Sequence, residues 1–191
     1  MLRRLSIALL LLLPPACRSV DSMNRELLEA ASCADQPGIQ KFLNEGASPN
    51  ATRHGRETAL GLLISQYKRS HLDRRKRIEE TATQLLAGGA DANALHHGFT
   101  PLQIATGQGS EVIVSRLLTY GADPDQETRA GLAPIWQAVF DNNYQIGLIL
   151  LQAGANPNAL NTLEQTPLQY LQSKGYQITK LMLYLRQHGG H

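Results

Sequence analysis

Two short motifs recur along this chain at nearly constant spacing, and they restrict it to an architecture built from repeats. A Gly-Ala turn, with an Asn or Asp four residues after its glycine, begins at Gly46, Gly89, Gly121 and Gly154. A motif of the Thr-Pro-Leu type begins at Thr58, Thr100, Ala133 and Thr166. In residue numbers, the steps between successive turns are 43, 32 and 33, and those between successive second motifs are 42, 33 and 33. Both series indicate a period of about 33 residues, with one insertion between positions 58 and 89.

The clearest copy, Gly98–Asp125, predicts a turn, a helix, a tight loop, a second helix and another turn. Thr100 is a good N-cap and Pro101 suits the first helical position, so we expect a helix to begin here. Apolar residues then follow at helical spacing, and Gly121 ends the second helix. Two such short helices cannot bury their apolar sides without neighbouring copies. The predicted helix pairs are 25–32 and 38–44, 59–66 and 78–87, 101–107 and 111–119, 134–140 and 144–152, and 167–173 and 177–187.

A period of this length with a Thr-Pro-Leu opening resembles the ankyrin repeat, and the resemblance covers residues 24–191. It implies an all-α solenoid of about five stacked helix–loop–helix repeats, with turn "fingers" along one edge and caps at 23–54 and 163–191. In that family a His follows the Thr-Pro-Leu motif and ties neighbouring repeats together. The corresponding residues here are Gly61, Gln103, Trp136 and Gln169. We therefore expect the repeats to use other contacts.

Residues 1–22 have the pattern of an export signal and are expected to lie outside the repeat domain, 23–191. Arg3 and Arg4 precede an apolar core, Leu5–Leu13, which is well short of the ~20 residues of a membrane-spanning helix. Cys17 stands where a bacterial lipoprotein signal has its lipidated cysteine, although Pro14 occupies a position that is usually Leu. Simple cleavage after residue 16 or 19 is the alternative. Both alternatives predict export, to the periplasm or to the outer membrane. Without Cys17 the second cysteine, Cys33, is expected to be a small buried thiol.

An insertion at residues 67–77 holds six of the eighteen Lys and Arg residues of the chain: Lys68, Arg69, Arg74, Arg75, Lys76 and Arg77. We name it the basic insert. One interpretation is a solvated extension of the flanking helices, because charge runs are usually exposed. The other is a contact for an acidic partner or for anionic lipid. Nucleic acid is not expected, since Tyr67 is the only aromatic residue beside these charges.

The resemblance implies that a partner binds the finger tips and the ends of the first helices. The finger positions are His96, His97 and Phe99, then Arg129 and Leu132, then Thr162 and Leu163. The helix-end positions are Gln108, Phe140, Asp141 and Lys174. Phe99, Leu132, Phe140 and Leu163 are apolar where water is expected, which is typical of interface anchors. The alternative is that these side chains cover one another between adjacent fingers.

The sequence contains no HExxH, GxSxG, Walker, CxxC or EF-hand motif. The pair His96-His97 supplies two metal ligands, too few for a closed site. We therefore predict no catalysis, metal or cofactor.

The predicted function is a protein-binding module of the bacterial cell envelope, monomeric when free, that holds or inhibits one protein partner. Immunity proteins against secreted toxins and small periplasmic ankyrin-repeat proteins are similar in size and export. The alternative is a membrane-surface adaptor anchored by lipidated Cys17 and the basic insert.

Overall fold

The computed structural model describes residues 19–128, 131–175 and 179–191, and these residues form five helix pairs. The pairs are α1 (Val20–Cys33) and α2 (Gln36–Asn44), α3 (Ala59–Ile64) and α4 (Leu72–Ala87), α5 (Pro101–Gln108) and α6 (Glu111–Thr119), α7 (Pro134–Phe140) and α8 (Tyr144–Gln152), and α9 (Pro167–Ser173) and α10 (Lys180–Gln187). The two short strands β1 (Thr52–Arg53) and β2 (Glu57–Thr58) pair antiparallel as the finger that precedes α3.

The helices form two layers, because first helices pack on first helices and second helices on second helices of the next repeat. Each first helix buries a large apolar side chain completely: Leu27, Leu63, Leu102, Ile135 and Leu171. Full burial of such a side chain stabilises the fold by about 1.5–3 kcal/mol. The arrangement is the predicted all-α solenoid of five stacked repeats.

The starts of α5 and α9 follow the predicted capping chemistry. Thr100 accepts a hydrogen bond from the backbone N–H of Gln103, and the side chain of Gln103 accepts one from the backbone of Thr100. Thr166 and Gln169 form the same reciprocal pair in the last repeat. Such a pair satisfies two N–H groups that a helix start otherwise leaves without partners. The end of α5 also agrees with the prediction, since the helix ends at Gln108, one residue after the predicted end, and Gly109, with φ of 74°, terminates it.

A ladder of hydrogen bonds joins the turns of successive repeats. The side chain of Asn50 accepts from the N–H of Asp91 and donates to the carbonyl of Gly89. Asn93 and Asn158 each make the same two bonds to the following turn. Asp125 occupies the equivalent position and accepts from the N–H of Asn156 at 2.8 Å. We call Asn50, Asn93, Asp125 and Asn158 the turn ladder.

Three expectations about boundaries and burial differ from the structure. Helix α1 begins at Val20 with Ser19 as its N-cap, earlier than the predicted start at 25, and Met23 is already buried. Helix α4 begins at Leu72, earlier than the predicted start at 78. Cys33 is exposed, not buried, because it lies at the end of α1 where the chain turns towards α2.

Three expectations fall outside the described residues: the export signal with Cys17, the partner-binding role of Arg129, and the start of the last helix at 177. Within residues 19–128, 131–175 and 179–191, no helix combines the length and the apolar character needed to cross a membrane.

Candidate protein-binding surface

Four of the predicted partner-binding residues line one open cavity of about 340 Å³: Phe99, Gln108, Leu132 and Phe140. The cavity lies between two fingers and the exposed side of α5 and α7, and we call it the groove. Phe99 and Phe140 are 50% and 46% exposed, whereas Leu132 is half-buried against the core. Phe140 lies at the end of a packed helix and therefore needs little ordering on binding, a property of interface anchors.

An aromatic cluster extends the groove towards the last repeat. The ring of Phe140 lies 5.6 Å from that of Trp136 and 5.5 Å from that of Tyr170. The ammonium group of Lys174 lies 5.4 Å from the centre of the Tyr170 ring. Phe140 is therefore held from both sides while about half of its surface stays open to a partner.

Two of the residues that replace the family His also join repeats. The side-chain amide of Gln103 donates to the carbonyl of Gln126 at 2.6 Å, and the indole N–H of Trp136 donates to the carbonyl of Ala159 at 3.0 Å. Both bonds reach 23 residues along the chain, to the turn of the following repeat. This confirms the expectation that other contacts replace the His. Trp136 is also fully buried.

His96 does not belong to the exposed surface, contrary to the sequence-based expectation. It is only 7% exposed, and its Nδ1 accepts a hydrogen bond from the backbone N–H of Thr58 at 3.2 Å. The imidazole fills the space beside Gly61, where a Cβ atom would collide with it. Burial, and to a lesser degree the neighbouring His97, lowers the pKa of His96. A buried neutral imidazole here completes the start of α3 and is unsuited to partner contact.

His97 is exposed on the same finger, with Nε2 3.3 Å from a carboxylate oxygen of Glu57. Its backbone N–H donates to the carbonyl of Arg56, which fixes the second finger to the first. No group of three His, Cys, Asp or Glu side chains in the described part of the chain lies close enough to hold a metal ion.

The basic insert is folded against the groove. The backbone N–H of Lys68 donates to the side-chain oxygen of Gln108 at 2.7 Å, so a 3-10 turn at Tyr67–Arg69 is attached to a groove residue. Arg75 donates to the carbonyls of Tyr67 and Lys68, and its guanidinium lies 5.2 Å from the Tyr67 ring centre. Arg74 donates to the side chain of Gln66 at 2.6 Å.

The acidic side chains nearest to the basic insert in the sequence are Asp73, Glu79 and Glu80. Among the described ion pairs, none includes a basic side chain of the insert. Glu79 accepts a hydrogen bond from the Tyr67 hydroxyl at 2.6 Å. Burial, followed by this bond, raises the pKa of Tyr67. Lys68, Arg69, Lys76 and Arg77 are exposed, so the insert presents positive charge to solvent.

The remaining predicted residues lie around the groove or outside it. Asp141 is exposed and accepts from the Gln137 amide at 2.9 Å. Thr162 and Leu163 are exposed on the last finger, where Leu163 is 73% exposed, and neither lines the groove. Arg129 lies outside the described residues.

Sequence reasoning missed three residues of this surface that occupy one repeat position: Ile104, Gln137 and Tyr170. They lie one repeat period apart on successive first helices, and each lines the groove or extends it. The repeat period could have identified them, because equivalent positions of a solenoid lie in a row.

Comparison with known proteins supports the same repeat unit. Residues 73–161 match the family model described as "Ankyrin repeats (3 copies)". The chain is 31% identical over 99 residues to mouse "Cyclin-dependent kinase 4 inhibitor B", a match that covers 51% of this chain and 75% of the relative.

Two larger relatives match a smaller share of their own length. Human "Ankyrin repeat and MYND domain-containing protein 1" is 31% identical over 117 residues, which is 57% of this chain and 12% of the relative. Mouse "B-cell lymphoma 3 protein homolog" is 33% identical over 124 residues, which is 63% of this chain and 26% of the relative. The chain thus spans about a quarter or less of the length of these two proteins.

Proposed function

The chain belongs to the ankyrin-repeat family, and from this premise we propose that it holds one protein partner in the groove. Ankyrin repeats imply a protein–protein interaction module. The observation that carries the proposal is the half-exposed Phe140, which is clamped between Trp136 and Tyr170 and opens into a cavity with Phe99 and Leu132. The arrangement offers an apolar contact surface, and fold alone does not select the partner.

Site-specific photocrosslinking in cells of the native host tests this proposal. A photoreactive amino acid replaces Phe99, which is 50% exposed on the groove, or Val112, which is 45% exposed on the second-layer helix α6. We expect the Phe99 position to crosslink to one protein in a stoichiometric complex, and the Val112 position to give no such product. A product from Val112 alone would place the interface on the other side of the solenoid and refute the groove proposal.

We also propose that the function is exerted by restraining the partner, without catalysis. The name of one relative, mouse "Cyclin-dependent kinase 4 inhibitor B", describes an inhibitor. A protein that inhibits by occupying its partner's surface needs only a binding surface. An immunity protein against a secreted toxin is one function of this type. If the crosslinked partner has an enzymatic or toxic activity, adding the purified protein should suppress it. Phe140→Ala should suppress it less.

Export to the cell envelope is a further part of the proposal, and the pattern of residues 1–22 supports it. Mass spectrometry of the protein from its native host should find no residue before Cys17. Additional mass equal to that of acyl chains would assign lipidation. A protein that retains Met1 in the cytoplasmic fraction would contradict export.

A second candidate, the membrane-surface adaptor, is favoured by one observation on the basic insert. Leu72 is 72% exposed at the start of α4, between the exposed cations Arg69 and Lys76. An apolar side chain among exposed cations suits the interface of an anionic bilayer. Binding to vesicles that contain phosphatidylglycerol, weakened by salt and by Leu72→Ser, would support this candidate.

A further inference from the structure

The groove has positive charge at both of its ends. At one end Gln108 lines the groove and holds the backbone of Lys68, whose side chain is exposed together with that of Arg69. At the other end Lys174 lies over Tyr170, which contacts the groove residue Phe140. The apolar side chains lie between these two ends.

Several contacts fix the 3-10 turn that carries Lys68 and Arg69, so these two exposed residues are held on the side of the groove where Gln108 lies. Arg75 bonds to two carbonyls of the 3-10 turn and covers Tyr67, whose hydroxyl bonds to Glu79. Arg74 bonds to Gln66. Within the described part of the chain, each oxygen atom that accepts from these two arginines is uncharged, so these bonds orient the guanidinium groups without neutralising them.

Among the described residues, two carboxylates lie between the two ends. Glu127 places a carboxylate oxygen 3.8 Å from the position that a Cβ atom of Gly131 would take, on the finger that carries Leu132. The other carboxylate is that of Asp141, next to Phe140 in the sequence. It accepts from the amide of the groove residue Gln137. A partner carboxylate is therefore disfavoured at the centre of the groove and favoured at its ends, since like charges repel and opposite charges attract at these short separations.

We propose that the groove takes an acidic segment of the partner, with one or two large apolar side chains at its centre and Asp or Glu residues on both sides. The apolar side chains pack on Phe99, Leu132 and Phe140. The flanking carboxylates face the turn that carries Lys68 and Arg69 and, at the other end, Lys174. This inference rests on the proposed function and specifies the chemistry of the partner.

A library of random peptides displayed on phage, selected on the purified protein, tests the inference. We expect the selected peptides to have a Leu, Phe or Met centre flanked by Asp and Glu. Their affinity should fall about 30-fold for Phe140→Ala, the factor that corresponds to a hot-spot side chain. Binding should also weaken as salt is added and when Lys68, Arg69 and Lys174 are replaced by Ser, because screening and charge removal act on the same attraction.

A matched pair of variants isolates the sign of the charge. Gly107 lines the groove on α5, and a Cβ atom there makes only an ordinary contact of 3.7 Å with Gln137. Gly107→Glu and Gly107→Lys add side chains of similar size at this position. The acidic peptides should bind Gly107→Lys better than Gly107→Glu, and equal melting temperatures of the two variants would show that folding does not cause the difference.

The outcomes separate the inference from the proposed function. Selected peptides that are neutral or basic, and that still depend on Phe140, would overturn the acidic-segment inference and leave groove binding intact. The inference would be overturned if the selected peptides bound the Phe140 and Gly107 variants as tightly as the native protein. It would also be overturned if the selection enriched no peptide at all. In those cases the photocrosslinking result decides whether the proposed function falls with it. Binding to phosphatidylglycerol vesicles without any selected peptide would assign the cations to a membrane, and would also overturn the inference.

Discussion

The imidazole of His96 occupies the space that a side chain at position 61 would need. At Thr100 and Thr166 a glutamine on the same helix accepts the backbone N–H of the capping threonine. In the helix that Thr58 caps, Gly61 stands at the position of these glutamines and has no side chain to accept a bond. The backbone N–H of Thr58 donates instead to the imidazole of His96 on the next finger. A side chain 38 residues away thus completes this helix start.

A double-mutant cycle tests this arrangement. We expect Gly61→Ala to lower the free energy of unfolding by about 1–3 kcal/mol, because its methyl group collides with His96. In a His96→Ala background the same substitution should be neutral or stabilising, because space is free and Ala favours a helix over Gly by about 0.5–1 kcal/mol. Urea unfolding of the four proteins measures the coupling. Equal costs in the two backgrounds would show that the residues do not interact.

The same histidine makes stability depend on pH. The pKa of His96 is lowered in the folded protein from its usual value near 6.5, so the unfolded chain binds more protons in this range. Its contribution to stability is complete above pH 6.5 and is lost as the pH falls through 6.5 towards the folded pKa. We expect the melting temperature to fall from about pH 7.5 to about pH 5.5.

Two variants assign this pH dependence. His96→Gln should reduce the slope, since its amide does not titrate. His97→Asn should retain most of it, because His97 is exposed and Asn tolerates its positive φ of 52°. An unchanged slope in His96→Gln would mean that another group controls the acid sensitivity.

At the scale of the element, the turn ladder has one member that differs from the others. Asn50, Asn93 and Asn158 each donate an amide N–H to a glycine carbonyl of the next turn. Asp125 has no N–H to offer to the equivalent carbonyl, that of Gly154. Asp125→Asn should therefore add one exposed hydrogen bond and raise the free energy of unfolding by about 0.5–1 kcal/mol.

The reverse substitution at an equivalent position is the control for the ladder. Asn93→Asp should lower the free energy of unfolding by a similar amount, because it removes the bond to Gly121. Thermal melts of both variants at neutral pH give the comparison. If Asp125→Asn destabilises the protein, the carboxylate has a role that the ladder does not explain.

The helix pairs could be predicted from the sequence because their signals are local. Thr100 and Pro101 start α5 as expected, and the repeat period assigns the other repeats. The start of α4 could not be predicted, because the charged residues before Ile78 carry no apolar periodicity and are ordered by bonds such as those of Arg75 to the preceding turn. The burial of His96 was also beyond local reasoning, because it depends on the absence of a side chain at Gly61.

One part of the groove followed from the repeat resemblance and the rest did not. Phe99 and Phe140 were predicted, since finger tips and helix ends occupy known positions of the repeat. The attachment of the basic insert to Gln108 joins residues 40 apart and has no signal in the sequence. Folding alone therefore brings the turn that carries Lys68 and Arg69 to the groove residue Gln108.

At the scale of the whole molecule, the repeats are coupled through their neighbours, because each helix packs on those of the adjacent repeat. Gly147 on α8 is a point of close contact with the last repeat. A Cβ atom there would lie 2.5 Å from Leu181 of α10, a side chain that is fully buried. In a solenoid, damage at such an interface should affect the adjacent repeat more than distant ones.

One substitution made at two glycines tests this coupling. Gly147→Ala should lower the free energy of unfolding by about 1–3 kcal/mol through overpacking. Gly107→Ala, in a helix where the added methyl group meets only an ordinary contact, should raise it by about 0.5–1 kcal/mol. Hydrogen exchange of Gly147→Ala should show lost protection in α8 and α10, while α3 and α5 keep theirs. A uniform loss from α1 to α10 would mean that the chain unfolds as one cooperative unit, and that a partner bound in the groove would stabilise the terminal repeats as strongly as those it touches.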